Sequence, residues 1–587
     1  MMQLPPRTNY QSLRIFSSRR TYSSSKILCW RKDKVSGHIS HSFPDFIEFW
    51  NRSVYRKCGY ALAGSTSLWA TAVALSADSL LSTASIPPVI LGTVTGLWFY
   101  VGEKDIHQSQ HAVRRNYPVL GNIRYILETI RPELRQYIVE SDTDGAPFNR
   151  LQRNQIYQRA KGVDETLAFG TRKNLYNVNS EWICQSMFPK TLSSEDARHT
   201  IGCTEYGTLK PYSSSILNIS AMSYGAISEN AILALNEGAF MGRFSHNTGE
   251  GGISKFHREK QGDLVWNIGT GYFGCGTGTD KRMFDAPCFQ ETLEEAAKVK
   301  MIEIKISQGA KPGHGGLLPK GKITKEIADA RKLVFPPVGD CHSPSSHSAF
   351  SNAHELVEFI STVRELSDGL PVGVKMCIGQ PLEIARFVKA CHEMGMGPDF
   401  ITVDGGEGGT GAAPPEFSDS IGYPLEDGLV LVRNLLIGAD LKDKISIIAS
   451  GKASTGFSIV KNLSLGADCV NSARAFMLSL GCIQALKCNT NKCPTGIATS
   501  DKDLMYGLVP EEKSVRVFNF HRRTVQSVVD IVGAIGHSSI KQVDANDIMR
   551  RIRSNEVCTL AEHYPKVNKG SLLEKSAPTQ LQRYWDH

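Results

Sequence analysis

Acidic residues are missing from the beginning of the chain. The first 32 of its 587 residues contain no aspartate or glutamate, although they contain seven lysines and arginines and many serines. This composition is typical of an organelle transit peptide, and a disordered basic tail is the alternative for residues 1–35. Much of the net charge of +8 lies in this region. The sequence also lacks a basic helix with interleaved aromatic residues, so a nucleic-acid partner is not expected.

Charged residues are also missing from 58–77 and, after the single Asp78, from 79–102. Each stretch is long enough to cross a bilayer. Trp69, Trp98 and Tyr100 are placed like the aromatic anchors of a membrane interface. The pattern predicts a transmembrane hairpin over 58–102, with a single span or a buried soluble hairpin as the alternatives. The predicted location is therefore a membrane, in the mitochondrion because of the transit peptide.

Cysteine is too sparse for a disulfide framework, with 14 in 587 residues. Three of them nevertheless lie close together, because Cys482, Cys488 and Cys493 follow the spacing C-x5-C-x4-C. Zinc normally takes four ligands, and no histidine occurs between residues 393 and 520 to supply a local fourth. A four-iron cluster also needs four ligands, whereas three cysteines suit a cluster that lacks one iron. The spacing alone leaves an iron–sulfur site, a zinc site and three structural thiols open.

Short β-branched runs alternate with helical patterns from about residue 215 onward, which is typical of an α/β fold with a parallel sheet. Eight strands are predicted, at 216–222, 243–249, 302–308, 338–343, 372–378, 400–405, 445–451 and 468–474. Eight β/α units in this length predict a TIM (β/α)8 barrel, with a doubly wound sheet as the alternative. The predicted domains are the basic tail at 1–35, the membrane hairpin at 58–102, a helical connector at 103–210, the barrel with the cysteine loop at 211–500 and a helical extension at 501–587.

Glycines and positively charged residues gather at the predicted strand ends, which in a barrel form the active-site face. The glycine-rich segments are 247–252, 307–316 and 404–412. Glycine lets the backbone approach a flat ligand and presents N–H groups to anions. Phosphates are often held after the seventh and eighth strands, where Lys452 and Arg474 supply positive charge, so FMN fits the pattern. Lys375 lies inside a predicted buried strand, which is costly unless the ammonium meets an anion or serves chemistry.

Several motifs, in the same order along the chain, resemble the FMN-binding domain of glutamate synthases. They are SAMSYGAIS, NTGEGG, QGAKPGHGG, GGTGA and LGCIQALKCNTNKCPTGIAT, within about residues 200–500. The connector that begins YPVLGNIRYILETIRPELRQ resembles the membrane-anchored, single-chain branch of that family, which extends the similarity to about 100–540.

The resemblance implies a TIM barrel with FMN at its C-terminal face and a 3Fe–4S cluster held by Cys482, Cys488 and Cys493. It implies a flavin-dependent oxidoreductase acting on CH–NH2 donors, which reduces 2-iminoglutarate, formed from 2-oxoglutarate and ammonia, to L-glutamate. An external donor such as ferredoxin or a reductase would supply the electrons. The catalytic residues that the resemblance implies are Gln308, Lys311 and Lys375. The implied cofactor-binding residues are Ser220, Met222, Asn247, Gly249, Gln308, Lys375, Gly451, Lys452, Ala473 and Arg474.

Two features depart from complete members of that family. The place of their N-terminal glutaminase domain is taken by the basic tail, the hairpin and the connector, so glutamine hydrolysis is not expected. His314 stands where the larger enzymes usually carry an acid. The alternatives are therefore an FMN and iron–sulfur oxidoreductase with another imine or carbonyl substrate, and a membrane-tethered electron-relay subunit without its own turnover.

Overall fold

The computed structural model describes residues 50–76, 86–278 and 282–587. The chain divides into two units, the first ending at Val139 and the second beginning at Glu140. The predicted transit peptide at 1–35 lies outside the described residues.

The described part of the first unit is helical. Its helices are α1 (Arg52–Ser76), α2 (Ile86–His107), α3 (Ala112–Asn116) and α4 (Gly121–Leu134), which continues into a π-helical turn at Arg135–Val139. The ring of Tyr55 in α1 stacks on the ring of Trp98 in α2, with 5.9 Å between the ring centroids. The buried carboxylate of Asp105 accepts hydrogen bonds from Arg114 and from the backbone N–H of Val119. It therefore connects α2 to α3 and to the segment between α3 and α4.

The predicted membrane hairpin at 58–102 is wrong. Among the helices in the described part of the chain, none is both long enough and apolar enough to cross a membrane. Helix α1 carries Arg52, Arg56 and Lys57 and is rich in alanine, serine and threonine, while the uncharged part of α2 covers only 86–102. The predicted location in a mitochondrial membrane is therefore also wrong, and no helix among the described residues supports the membrane as a partner.

The second unit is built around a closed barrel. Its strands are β1 (Glu181–Ile183), β2 (Arg198–Ile201), β3 (Tyr212–Ser215), β4 (Leu217–Ile219), β5 (His246–Asn247), β6 (Leu264–Ile268), β7 (Gly276–Thr277), β8 (Met283–Phe284), β9 (Val299–Lys305), β10 (Leu317–Leu318), β11 (Cys341–His342), β12 (Val372–Met376), β13 (Phe400–Asp404), β14 (Ser446–Ser450), β15 (Cys469–Ser472), β16 (Ile548–Arg553) and β17 (Glu556–Thr559). The barrel contains β4, β5, β6, β9, β12, β13, β14 and β15, and all its neighbouring strands are parallel. Strands β1, β16 and β17 form a separate antiparallel sheet.

The helices of the second unit precede the barrel in the chain, alternate with its strands or follow it. They are α5 (Arg150–Lys161), α6 (Glu229–Gly242), α7 (Lys255–Glu259), α8 (Ala286–Glu294), α9 (Lys325–Arg331), α10 (Ala353–Leu366), α11 (Pro381–Met394), α12 (Pro415–Ser420), α13 (Leu425–Gly438), α14 (Gly456–Ser464), α15 (Arg474–Leu480), α16 (Lys502–Met505), α17 (Pro510–Ile535), α18 (Leu560–His563) and α19 (Thr579–Asp586). Local sequence explains several boundaries. Ser228 caps the start of α6 by accepting a hydrogen bond from the N–H of Ala231, and Gly395 ends α11 in the left-handed conformation at φ +63°.

The closed parallel barrel confirms the predicted fold class, and seven of the eight predicted strand regions contain a barrel strand. Region 338–343 is the exception, because β11 pairs with β10 in an antiparallel hairpin outside the barrel. The missing barrel strand is β6, whose five residues are all buried. Its Trp266 stacks on Phe289 of α8 at 4.9 Å between ring centroids, which fixes the strand against the helical layer.

The antiparallel hairpin of β2 and β3 lies at the N-terminal end of the barrel. Its Ile201 and Tyr212 pack with Val265, Met301 and Phe400 in a buried apolar cluster that also contains Ile448 and Cys469. Most of these barrel residues lie in the first halves of their strands, and Ile448 lies at the middle of β14, so the cluster fills the end of the barrel opposite the strand C-termini.

Candidate active site

A cleft opens at the C-terminal ends of the barrel strands, and it is lined mainly by polar and charged residues. Seven of the residues predicted for the site line it, and they come from six strand ends: Ser220, Gly249, Gln308, Lys375, Gly451, Ala473 and Arg474.

Four other predicted residues lie beside the cleft or beneath it. Met222 is buried in the main apolar core, and Asn247 is buried inside the barrel. Lys311 is only 5% exposed, and burial lowers the pKa of its ammonium, although the carboxylate of Glu250 opposes that shift. Lys452 follows Gly451, and partial burial together with the charge of Arg474 lowers its pKa.

Lys375 lies in β12 with its ammonium 3.4 Å from the carboxylate of Asp404, at the end of β13. Burial alone would lower the pKa of this lysine, but the carboxylates of Asp404 and Glu303 raise it above its ordinary value. Asp404 is itself fixed, because it accepts hydrogen bonds from the N–H of Gly309 at 2.9 Å and from the hydroxyl of Ser450 at 2.8 Å. The lysine that the sequence placed in a buried strand is therefore a charged group with a rigid partner.

A second ion pair, which the sequence analysis missed, joins Lys305 and Glu250 at 2.9 Å. Burial alone would raise the pKa of Glu250, but Lys305, then Arg331 and Lys311, lower it below its ordinary value. Lys305 pairs directly with Lys375 in the register of β9 and β12. The sequence did contain a signal for this pair, since the apolar runs IEIKI and VGVKM each have a lysine near their end.

A buried carboxylate forms the floor beneath these ion pairs. Glu303 in β9 is 1% exposed and accepts hydrogen bonds from the side-chain amides of Asn247 and Asn267 and from the hydroxyl of Thr402, each at 2.7 Å. The three donors come from three other strands, so the carboxylate links the interior of the barrel. Asn247 therefore supports the floor of the cleft and does not line it.

Two glycine-rich loops touch each other at the rim. A Cβ atom added at Gly309 would lie 1.8 Å from the carbonyl oxygen of Gly405 and 3.3 Å from the Cα of Gly408. The loops after β9 and β13 can approach this closely only because glycine has no side chain.

Gly309→Ala is expected to push these two loops apart and to lower the free energy of unfolding by about 1–3 kcal/mol, as overpacking does elsewhere. Denaturant unfolding measures the change. Gly321→Ala is the control, because a Cβ atom there would meet no atom within 4 Å. Equal stability of the two variants would show that the loop contact is not tight.

Cys482, Cys488 and Cys493 lie in the loop after α15 as free thiols. Burial raises the pKa of Cys482 to about 11, with a contribution from Cys488 and Cys493. Burial would also raise the pKa of Cys493, but hydrogen bonds from the Thr495 hydroxyl and from backbone N–H groups lower it below its ordinary value. In the described ranges, no group of three or more His, Cys, Asp or Glu side chains could hold one metal ion.

Comparison with known proteins places the chain in a family. A sequence model of the conserved region in glutamate synthase matches residues 170–538. The chain is also 35% identical over 483 residues to the glutamate synthase large subunit-like protein YerD of Bacillus subtilis, a match that covers 75% of this chain and 90% of that protein. The chain belongs to the glutamate synthase family. This membership confirms the prediction of a glutamate synthase-like oxidoreductase, an enzyme that acts on CH–NH2 donors.

Two further relatives match over a smaller share of their own length. The chain is 34% identical over 340 residues to the archaeal-type glutamate synthase (NADPH) of Thermotoga maritima, and 34% identical over 345 residues to the archaeal glutamate synthase (NADPH) of Methanocaldococcus jannaschii. These matches cover 57% and 58% of this chain and 62% of each relative. The chain therefore spans less than two thirds of the length of these two glutamate synthases.

Proposed function

We propose that this chain binds FMN and a 3Fe–4S cluster and reduces 2-iminoglutarate, formed from 2-oxoglutarate and ammonia, to L-glutamate. The observation that carries the proposal is the cleft, which gathers Lys305, Lys375 and Arg474 at the strand C-termini in a chain of the glutamate synthase family. A phosphorylated cofactor and a dicarboxylate substrate both require positive groups of this kind.

The cleft residues fit FMN. Gly451, Ala473 and Arg474 line the part of the cleft at the ends of β14 and β15, with Lys452 beside them, and we assign the phosphate to this region. The Oδ1 atom of Asn267 is buried and finds no hydrogen-bond partner within the described part of the chain, although its residue lines the cleft. A buried acceptor of this kind favours a ligand with an N–H donor. When bound, FMN supplies the hydride for the reduction.

The cysteine loop fits an iron–sulfur cluster better than zinc. A zinc ion normally takes four ligands, and no histidine between residues 393 and 520 adds a local fourth to the three cysteines. In a three-iron cluster each cysteine binds its own iron, so three ligands suffice. The hydrogen bonds that lower the pKa of Cys493 also favour the thiolate that iron requires. When bound, the cluster supplies single electrons that originate from an external donor.

The remaining charged groups suit the substrate. We assign one carboxylate to Lys311, because a buried ammonium whose pKa is lowered gains most from a new anionic partner. We assign the other to Lys305, because it lines the cleft. Gln308 lines the same cleft and can donate to a carboxylate through its amide. Glu250, which neighbouring cations keep ionised, can accept a hydrogen bond from the N–H of the imine. These side chains orient the substrate, whereas the redox chemistry belongs to the cofactors.

The decisive experiment is an anaerobic assay of the chemically reduced protein with 2-oxoglutarate and ammonium. We expect reoxidation of the flavin and formation of L-glutamate, both of which require the two substrates together. Lys311→Met is expected to raise the KM for 2-oxoglutarate at least tenfold through loss of a charged contact, with unchanged FMN content. Reoxidation by other carbonyl compounds alone would favour a different substrate. Retained FMN and iron without turnover of any substrate would favour an electron-relay role.

A further inference from the structure

The ion pair of Lys375 and Asp404 differs from the other charged contacts of the cleft. Lys375 is 5% exposed and its only carboxylate within ion-pair distance in the described residues is Asp404, at 3.4 Å. Two hydrogen bonds hold that carboxylate, one from the backbone of Gly309 after β9 and one from Ser450 at the end of β14. Asp404 therefore cannot turn away from Lys375 without leaving a buried donor unpaired.

Glu303 provides a contrast within the same site. It also faces Lys375 and favours its charged form, but its oxygens already accept hydrogen bonds from Asn247, Asn267 and Thr402. All three donors are neutral, so this carboxylate is satisfied without the lysine. Of the two acids beside Lys375, only Asp404 lies within ion-pair distance of it.

We propose that Asp404 is a positioning residue, which holds Lys375 as an ammonium at the wall of the cleft where the cofactor binds. This inference rests on the proposed binding of FMN. A positive charge fixed beside a flavin favours its reduced, anionic form, so Lys375 raises the reduction potential of the cofactor. Asp404 keeps Lys375 charged and in position. Neither role requires Asp404 to touch the cofactor.

The other charges around Lys375 do not replace Asp404. Glu250, after β5, faces it from farther away and is already paired with Lys305 at 2.9 Å. Arg474, after β15, faces Asp404 and adds positive charge to the same wall. Without the carboxylate at position 404, burial favours a neutral Lys375, and only the more distant Glu303 and Glu250 still oppose it.

The test is the FMN reduction potential as a function of pH, measured in the purified holoprotein and in Asp404→Asn. The amide keeps the shape of the carboxylate. The side-chain oxygen of the asparagine can accept the hydrogen bond from the N–H of Gly309. Its nitrogen can donate a hydrogen bond to Ser450, because the hydroxyl group of Ser450 can rotate to become the acceptor. We expect the variant to show an additional inflection between about pH 7 and pH 10, as Lys375 loses its proton, and the wild-type protein to show none in that range.

Three further variants identify the group that titrates. Glu303→Gln should leave the profile without the new inflection, because Glu303 lies outside ion-pair distance. Asp404→Glu, which keeps the charge, should restore the wild-type profile. The inflection should disappear from the double variant Asp404→Asn with Lys375→Met. The inference is overturned if Asp404→Asn and wild-type profiles coincide, if Glu303→Gln gives the same inflection, or if the double variant keeps it.

A measurement on the wild-type protein keeps the inference testable if Asp404→Asn does not fold. Reductive methylation of the cofactor-free protein, read by mass spectrometry at several pH values, modifies only neutral amines. The midpoint for Lys375 should lie above the value of about 10.4 that is ordinary for a lysine, and a lower midpoint would contradict the inference. The absence of FMN from the wild-type holoprotein would instead contradict the proposed function, so the two failures are distinguishable.

Discussion

Arg364→Ala is expected to lower the free energy of unfolding by about 3–5 kcal/mol, because it leaves a buried carboxylate without its cation. Arg364 in α10 donates to Asp399 through two nitrogens, at 2.9 and 3.2 Å, and the two residues are 3% and 0% exposed. Asp399 also accepts hydrogen bonds from Thr208 and from the backbone N–H groups of Cys203 and Val372. This carboxylate therefore joins a helix, a strand and the chain that follows β2.

Denaturant unfolding of the second unit measures this effect, with Lys210→Ala as the comparison. Lys210 forms an ion pair with Asp368 at the surface, where its side chain is 52% exposed, so its loss should change stability little. If Arg364→Ala were as stable as Lys210→Ala, the Asp399 network would not anchor the barrel.

Cys488→Ser is expected to abolish incorporation of the iron–sulfur cluster. The wild-type protein, purified without oxygen, should contain about three irons per chain, since three cysteines can each bind one iron. A serine hydroxyl binds iron poorly compared with a thiolate, and the two remaining cysteines cannot complete the set. Iron and acid-labile sulfide analysis, together with the visible absorption of the cluster, measures the loss.

Cys288→Ser is the matched control, because Cys288 is also half-buried but lies in α8, far along the chain from the cysteine loop. It should leave the iron content unchanged. Iron retained by Cys488→Ser at the wild-type level would show that this cysteine is not a ligand, and zinc in place of iron would exclude the cluster.

The barrel was predictable because its strands are short, buried and β-branched, and because helical patterns separate them. Strand β6 was missed because LVWNI precedes a glycine-rich hairpin, which resembles a loop in sequence. Region 338–343 was mistaken for a barrel strand because a two-residue hairpin strand and a barrel strand have the same local composition. In both cases the strand with which a segment pairs determines whether the segment belongs to the barrel. That pairing depends on contacts between residues distant in sequence.

The membrane prediction failed for a different reason. A run of uncharged residues was counted as a span, although many of them are alanine, serine and threonine, which have little preference for a bilayer interior. In α1 these hydroxyls bond to the helix backbone, as the hydroxyl of Thr66 does to the carbonyl of Leu62. An uncharged run shows only that a segment is long enough to span a bilayer, whereas its insertion into the bilayer also requires sufficient hydrophobicity.

Within the candidate site, it was easier to predict which residues lie in the cleft than which ion pairs they form. Lys375 stood out because its place in a strand predicts burial. Asp404, Glu250 and Lys305 did not, since Glu250 lies in a glycine-rich loop, and Asp404 and Lys305 lie at strand ends, where charged residues are common. Their importance appears only when the closed barrel brings three strand ends together, so that each charge meets its counterpart.

The hairpin of β2 and β3 has a consequence for kinetics. Because Ile201 and Tyr212 fill the N-terminal end of the barrel, the cleft leads to Lys375 from the side of the strand C-termini. A ligand that binds beside Lys375 is therefore expected to enter on the side of the strand C-termini, and product that stays in the cleft is expected to compete with substrate for it.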